Sequence, residues 1–286
     1  MKEKIKTILK NTNKKTLGLI AGIVVIIFIA FIYFNRLETY EETVNGISFK
    51  MIAVDGGTFY MGAQSENSEG INYDPEAKED ESPVHKVTLS SYYISETEVT
   101  QELWEAVMGT NIEEQQKRSN RKKDYGKGPK LPMYFVSWIE AKEFCEKLSE
   151  LTGKEYCLPT EAQWEFAARG GNKSEGYLYS GTNDIYSLTQ GFSYCDSVKS
   201  TLPNELGIYN MSGNVKEWCN DFFIKYTFES EKNPTYSRNE VYHSDSMAVR
   251  GGGSLTYSYA YRIPYRSFCW AGWRHENIGF RIARCP

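Results

Sequence analysis

The chain has 286 residues, 41% of them hydrophobic and 14% aromatic, with a net charge of −4, which supplies apolar material for one sizeable domain or two small ones and excludes a disordered chain. The charge is divided unevenly: residues 1–36 carry seven Lys/Arg and one acid, so the remaining 250 residues carry −10. An acidic body excludes the phosphate-neutralising face that a nucleic-acid partner requires.

Six lysines in residues 1–16 precede an uninterrupted apolar run from Leu17 to Phe34. Eighteen such residues just span a bilayer, and the run is longer than a signal-peptide core. Asn35-Arg36-Leu37-Glu38 lacks a small-residue cleavage site. The expectation is a single-pass signal anchor over 17–34, with 1–16 a basic cytoplasmic tail and the rest outside the cell membrane, periplasmic or on the cell surface. Residues 35–46 then read as a polar linker, and 47–286 as the folded domain.

Within that domain, alternation at Ile47, Phe49 and Met51 followed by Gly56-Gly57 predicts a hairpin over 47–62. Ser65 to Ser82 holds seven acids and reads as a solvated loop. A strand pattern returns over Val84 to Ile94. Thr100 stands at an N-cap position before QELWEAVM, with Gly109 as the stop. Asn111 to Lys130 is polar and basic and reads as a loop. Ser137 with Glu140, and Thr160 with Gln163, have capping-box spacing ahead of two further helices. From Gly171 onward short apolar pairs among Gly, Asn and Ser predict irregular loops pinned by a few strands. The fold class is α+β with little regular structure.

Two stretches carry candidate chemistry. PNELGIYNMSGNVKEW, residues 203–218, doubles back twice, and Asn210, Gly213, Val215 and Glu217 offer side-chain and main-chain oxygens of the kind calcium prefers. A tight structural turn is the other reading of the same residues. Residues 255–275 contain seven aromatics in twenty-one positions. Tyr257, Tyr259 and Tyr261 recur at period two, so an extended segment would place them on one contact face. Arg262, Trp270 and Trp273 join them as candidate ligand-binding residues, whereas Tyr265 and Phe268 read as core. Six cysteines in an extracytoplasmic domain can form up to three bridges in fifteen connectivities. His85, His243 and His275 have neither metal spacing nor a nucleophile motif, and read as surface or structural residues.

The blocks GGTFYMG, ETEVTQELW, PMYFVSWIEAKEFC, LPTEAQWEFAARGG, PNELGIYNMSGNVKEW, RGGGS and IGFR, in this order over residues 47–283, resemble the formylglycine-generating enzyme (sulfatase-modifying factor) family. The resemblance implies a C-type-lectin-like α+β fold of low regularity. It implies calcium at Asn210, Gly213, Val215 and Glu217, the middle two through carbonyls. It also implies two Cu(I)-binding cysteines shortly after RGGGS, but those positions hold Tyr257 and Arg262, and no copper is expected here. Of two disulfides the family implies, one falls on Ala168 and Ser267, and the other keeps Cys145 opposite Ile282. In relatives the same C-terminal loop carries variable, ligand-contacting residues.

Three function classes follow. The first is a ligand-binding or accessory domain held outside the membrane, with a glycan or an envelope protein as ligand. The second is a structural component of an envelope complex, and the third a formylglycine-generating oxidoreductase. The absent thiolates on a kept scaffold favour the first.

Overall fold

The structure, a computed structural model, describes residues 21–23, 37–121, 125–188, 195–236, 246–254 and 256–284. The apolar run 17–34 and the anchor expected there lie outside the described residues, apart from 21–23. No helix among the described residues is long and apolar enough to cross a membrane.

The domain opens with strands β1 (Tyr40–Val44) and β2 (Ile47–Val54), joined by a turn in which Asn45 and Gly46 both take positive φ. Tyr40–Val44, within the stretch expected as a linker, is therefore a strand. Its alternate side chains are anchored inward: Tyr40 packs edge-on against Tyr93, and Glu42 accepts the Tyr156 hydroxyl at 2.8 Å. The hairpin expected over 47–62 is not formed, because β2 and β3 (Gly57–Met61) go to different sheets. β2 pairs with β5 (Tyr92–Ser95), and β3 with β4 (His85–Leu89). Gly56 cannot carry a side chain here, since a Cβ would lie 2.5 Å from the Leu89 carbonyl.

Four helices follow: α1 (Gln101–Met108), α2 (Ile112–Ser119), α3 (Trp138–Thr152) and α4 (Glu161–Ala168). Thr100, Ser137 and Thr160 cap α1, α3 and α4 as their spacing predicts, the last two as capping boxes. α2 lies where a loop was expected. Asn111 and Glu114 form its capping box, and Ile112 and Gln115 are the residues it buries.

β6 (Lys216–Phe222), β8 (Ser246–Arg250) and β9 (Arg266–Trp270) form the second sheet with β10 (Ile278–Gly279). β7 (Glu231–Lys232) completes the small sheet beside β4, and β11 (Ala283–Arg284) pairs with β5. The core joins all three sheets through α4, all eight residues of which are buried, including Trp164 and Phe166. Beyond α4, the described helical turns are short 3-10 pieces, as the loop-rich sequence implies. Cys145, Cys195, Cys219 and Cys269 carry free thiols, so none of the bridges admitted by sequence forms among them. Cys285 lies outside the described residues.

Candidate functional site

The loop over 203–218 is built by its carboxamides. Asn204 accepts the Leu206 and Ile208 amides at 3.0 and 3.2 Å and donates to the Ala167 carbonyl at 2.8 Å, closing the first turn onto α4. Asn210 and Asn214 take left-handed backbone, φ 56° and 59°, as Asn tolerates. Gly213, at φ +121°, lies under the Tyr261 ring, where a Cβ would sit 2.8 Å from a ring carbon.

The second turn converges on a buried carboxyl that the sequence reading did not single out. Glu98, 1% exposed, accepts from Asn210 Nδ2 at 3.2 Å and Asn214 Nδ2 at 2.9 Å. Asn210 Oδ1 accepts the Thr201 hydroxyl at 2.7 Å, and Asn214 Oδ1 accepts the Asp196 amide at 3.0 Å. Burial pushes the Glu98 carboxyl up to about 8, with Arg281 opposing and Glu217 adding. Its signal in the sequence is the second acid of ETEV, an uncommon residue in an otherwise strand-like block.

Glu217, one of the four expected metal ligands, is engaged by donors of the protein itself. Its two oxygens take Arg281 Nε and Nη2 at 2.6 and 2.7 Å, and Oε2 also accepts the Trp164 indole at 2.7 Å. Glu98 and Glu217 thus share one guanidinium, which leaves one buried negative charge uncompensated when both are ionised. Beside the loop, Glu98 also lines a cavity of about 460 Å³ with Glu96, Glu102, Lys50, Lys130 and Lys199. Glu96 and Lys50 pair at 3.5 Å.

The aromatic stretch departs from the extended strand expected of it. Ser258–Tyr261 is a 3-10 turn, so period-two residues no longer share a face. Tyr257 is 75% exposed and stacks on Tyr259 at 5.6 Å, while Tyr261 is buried with its hydroxyl donating to the Gly253 carbonyl at 3.2 Å. Arg262 is wholly buried and corrects its ligand-binding assignment. It pairs with Glu81 through both nitrogens, at 2.9 and 2.7 Å, and with Asp74. Asp74 and Glu81 come from the acidic segment read as solvated, which is therefore pinned at two points. Trp270 and Trp273 remain about half exposed, ring against ring at 4.6 Å. Phe268, read as core, is 51% exposed with one side of its ring near Phe223.

Between these regions lies an ionic interior. In the β6–β8–β9 register Glu217, Arg250 and Arg266 form one row facing α4. Arg266 binds both oxygens of Glu161, at 2.6 and 2.8 Å, and Arg250 bridges Glu161 and Glu165. His85 is a buried residue whose ring is tilted against that of Tyr226, centroids 4.6 Å apart. His275 is half-buried, 3.8 Å from Glu276, and burial lowers its ring below the usual value. His243 lies outside the described residues. The described residues contain no group of three or more His, Cys, Asp or Glu able to hold a metal ion.

Comparison with known proteins adds sequence-wide likeness to this geometry. Residues 38–286 match the model of the sulfatase-modifying factor enzyme 1-like domain. The chain is 29% identical to the chaperone protein LppX of Paenibacillus barcinonensis, over 83% of this chain and 90% of LppX. It is 33% identical to the formylglycine-generating enzyme of Streptomyces coelicolor over 54% of this chain, and spans about half of that enzyme's length, 53%. Among solved structures it resembles Treponema denticola variable protein 1, with a TM-score of 0.70 at 28% identity, covering 87% of this chain and 100% of that one.

Proposed function

The chain belongs to the sulfatase-modifying factor enzyme 1-like domain family, and from that premise we propose that it is a membrane-anchored, extracytoplasmic ligand-binding or accessory domain rather than a copper oxidase. One observation carries this reading. The two positions at which the resemblance expects Cu(I) thiolates hold an exposed phenol, Tyr257, and a guanidinium, Arg262, that is buried between Glu81 and Asp74. Neither residue is a soft ligand, and Arg262 brings a positive charge, so these side chains do not fit Cu(I). No step through copper is derived. The likeness to a protein named as a chaperone, over nine-tenths of that protein's length, supports an accessory role.

The exposed rings of Tyr257, Trp270 and Trp273, with the part-buried Tyr259, are the proposed contact residues, because large, rigid aromatic side chains supply area at small entropic cost. Calcium bound at the Asn210–Glu217 loop, with Glu98 contributing, is the proposed stabiliser. The basic, apolar N-terminus supports the anchor, and protease added to spheroplasts is expected to digest the domain.

The test is a pull-down of envelope proteins and glycans with the Tyr257→Ala/Trp270→Ala chain, run beside circular dichroism. Loss of capture with an unchanged spectrum is expected, and normal capture would move the site elsewhere. Incubation with a sulfatase-type cysteine peptide should leave its mass unchanged. Formylglycine formation would restore the oxidase reading.

A further inference from the structure

Where the turn after β9 meets the start of α3, exposed indoles and cations share one surface. Trp270 and Trp273 are each about half exposed, and their rings stand at 89° to each other, so the pair makes a corner with apolar faces open to water. The Ala271 carbonyl between them accepts the Ile139 amide at 3.4 Å, which brings the corner to the first turn of α3 and its Glu140. Arg274, next in the chain after Trp273, binds both oxygens of Glu140 at 2.9 Å, and Arg118 of α2 reaches the same carboxylate at 3.4 Å. Glu140 is buried while both arginine side chains stay open to solvent, so it positions them without covering them.

The same loop continues into a second set of charges. Arg121, its side chain half exposed, lies 3.9 Å from Glu276. Lys216, at the start of β6, is tied to the loop by its amide, which donates to the Asn277 carbonyl at 2.8 Å. It is part-buried, and among the described residues no carboxylate pairs with it. Burial lowers its ammonium group below the usual lysine value, with only the Cys269 thiol opposing. The His275 ring, kept low first by burial, lies within the fields of both Lys216 and Arg121. Of these side chains four are cationic and two anionic, whereas residues 37–286 as a whole carry −10. A part-buried cation without a partner is costly until an anion meets it.

The charge selects an anion, and the indoles select what carries it. Arg274 uses Nε and Nη2 for Glu140, which leaves Nη1 to meet a ligand. A sugar ring presents C–H groups on its faces and polar groups around its edge, so it can lie on an indole while a carboxylate at its edge reaches a guanidinium or ammonium group. An acidic peptide offers the charge without the flat face. We infer that this surface binds an acidic saccharide, one bearing carboxylate groups, an inference that rests on the ligand-binding reading and names the chemistry of its ligand.

The experiment titrates the full chain in detergent micelles with polygalacturonate, with its methyl ester, which keeps the rings and removes the charge, and with polyglutamate, which keeps the charge and removes the rings. Polygalacturonate is expected to bind about tenfold or more tighter than either of the others, with an affinity that falls as salt is raised. Lys216→Gln, which breaks no internal ion pair, and Arg121→Gln, on an exposed side chain, should each weaken it about tenfold without lowering the melting temperature. Trp273→Ala should bring it down to the level of polyglutamate. Equal affinity for the ester or for polyglutamate, no binding of polygalacturonate, or wild-type affinity in both charge variants would each overturn the inference. The pull-down with Tyr257→Ala/Trp270→Ala separates the two claims: if that variant loses capture while polygalacturonate does not bind the wild type, the ligand-binding reading stands and the acidic saccharide falls.

Discussion

Two buried glutamates, Glu165 on α4 and Glu98 before α1, are equally removed from water yet ionise in opposite directions. Burial alone would raise the Glu165 carboxyl, but Arg169 and Arg250 overcome it and hold it down at about 2. Glu98 accepts from two carboxamides and shares the field of Arg281 with Glu217, so burial wins and pushes it up to about 8. The difference is one of charge balance rather than depth. Both carboxylates on α4, Glu161 and Glu165, have at least one guanidinium, and this cluster is a fixed part of the interior. At the 203–218 loop Glu98 and Glu217 face one guanidinium, and Glu98 is kept protonated up to about pH 8. Stability measurements can break this contrast.

The largest effect is expected from Arg250→Met, which leaves Glu161 and Glu165 short of a partner beneath the second sheet. A loss of about 3–5 kcal/mol is expected in urea unfolding, as for other buried pairs broken from one side. A loss below about 1 kcal/mol would mean that Arg266 and Arg169 alone balance the cluster.

Acid should act next most strongly, and through the same cluster. A carboxyl held below its unfolded value stabilises the fold at pH above that value, and the contribution disappears as pH falls toward the folded value. For Glu165 the window runs from 4.5 down to about 2, with on the order of 3 kcal/mol at stake. Glu165→Gln should flatten the acid limb of a plot of stability against pH. An unchanged limb would assign acid unfolding to other groups.

The smallest of the three concerns the unbalanced loop. Glu98→Gln removes a carboxyl that burial keeps protonated up to about pH 8 at a cost in stability, so the protein stripped with EDTA should gain about 1 kcal/mol, while added calcium should stabilise the wild type instead. If the wild-type melting temperature ignores both EDTA and calcium, the loop is completed without a metal.

The sequence by itself determined what is local and what is written in contiguous motifs. Thr100, Ser137 and Thr160 announce their helices because a cap is a bond between residues three apart. Asn111 with Glu114 carries the same signal for α2, obscured by a polar composition that favours a loop reading. Family membership was legible for the same reason, in ordered blocks of adjacent residues. What only the tertiary structure decided are the pairings between distant residues of like appearance. The residues before β2 form a strand because Tyr93 and Tyr156 wait for Tyr40 and Glu42. Arg262 looked like a surface cation among tyrosines, and becomes a buried clamp because Asp74 and Glu81, nearly two hundred residues earlier in the chain, are folded against it. Glu217 looked like a free ligand until Arg281 met it, and Glu98 drew no reading at all until two asparagines closed over it. A charge in a sequence has no fixed meaning until its surroundings exclude water, since burial and one chosen partner set both its ionisation and its role.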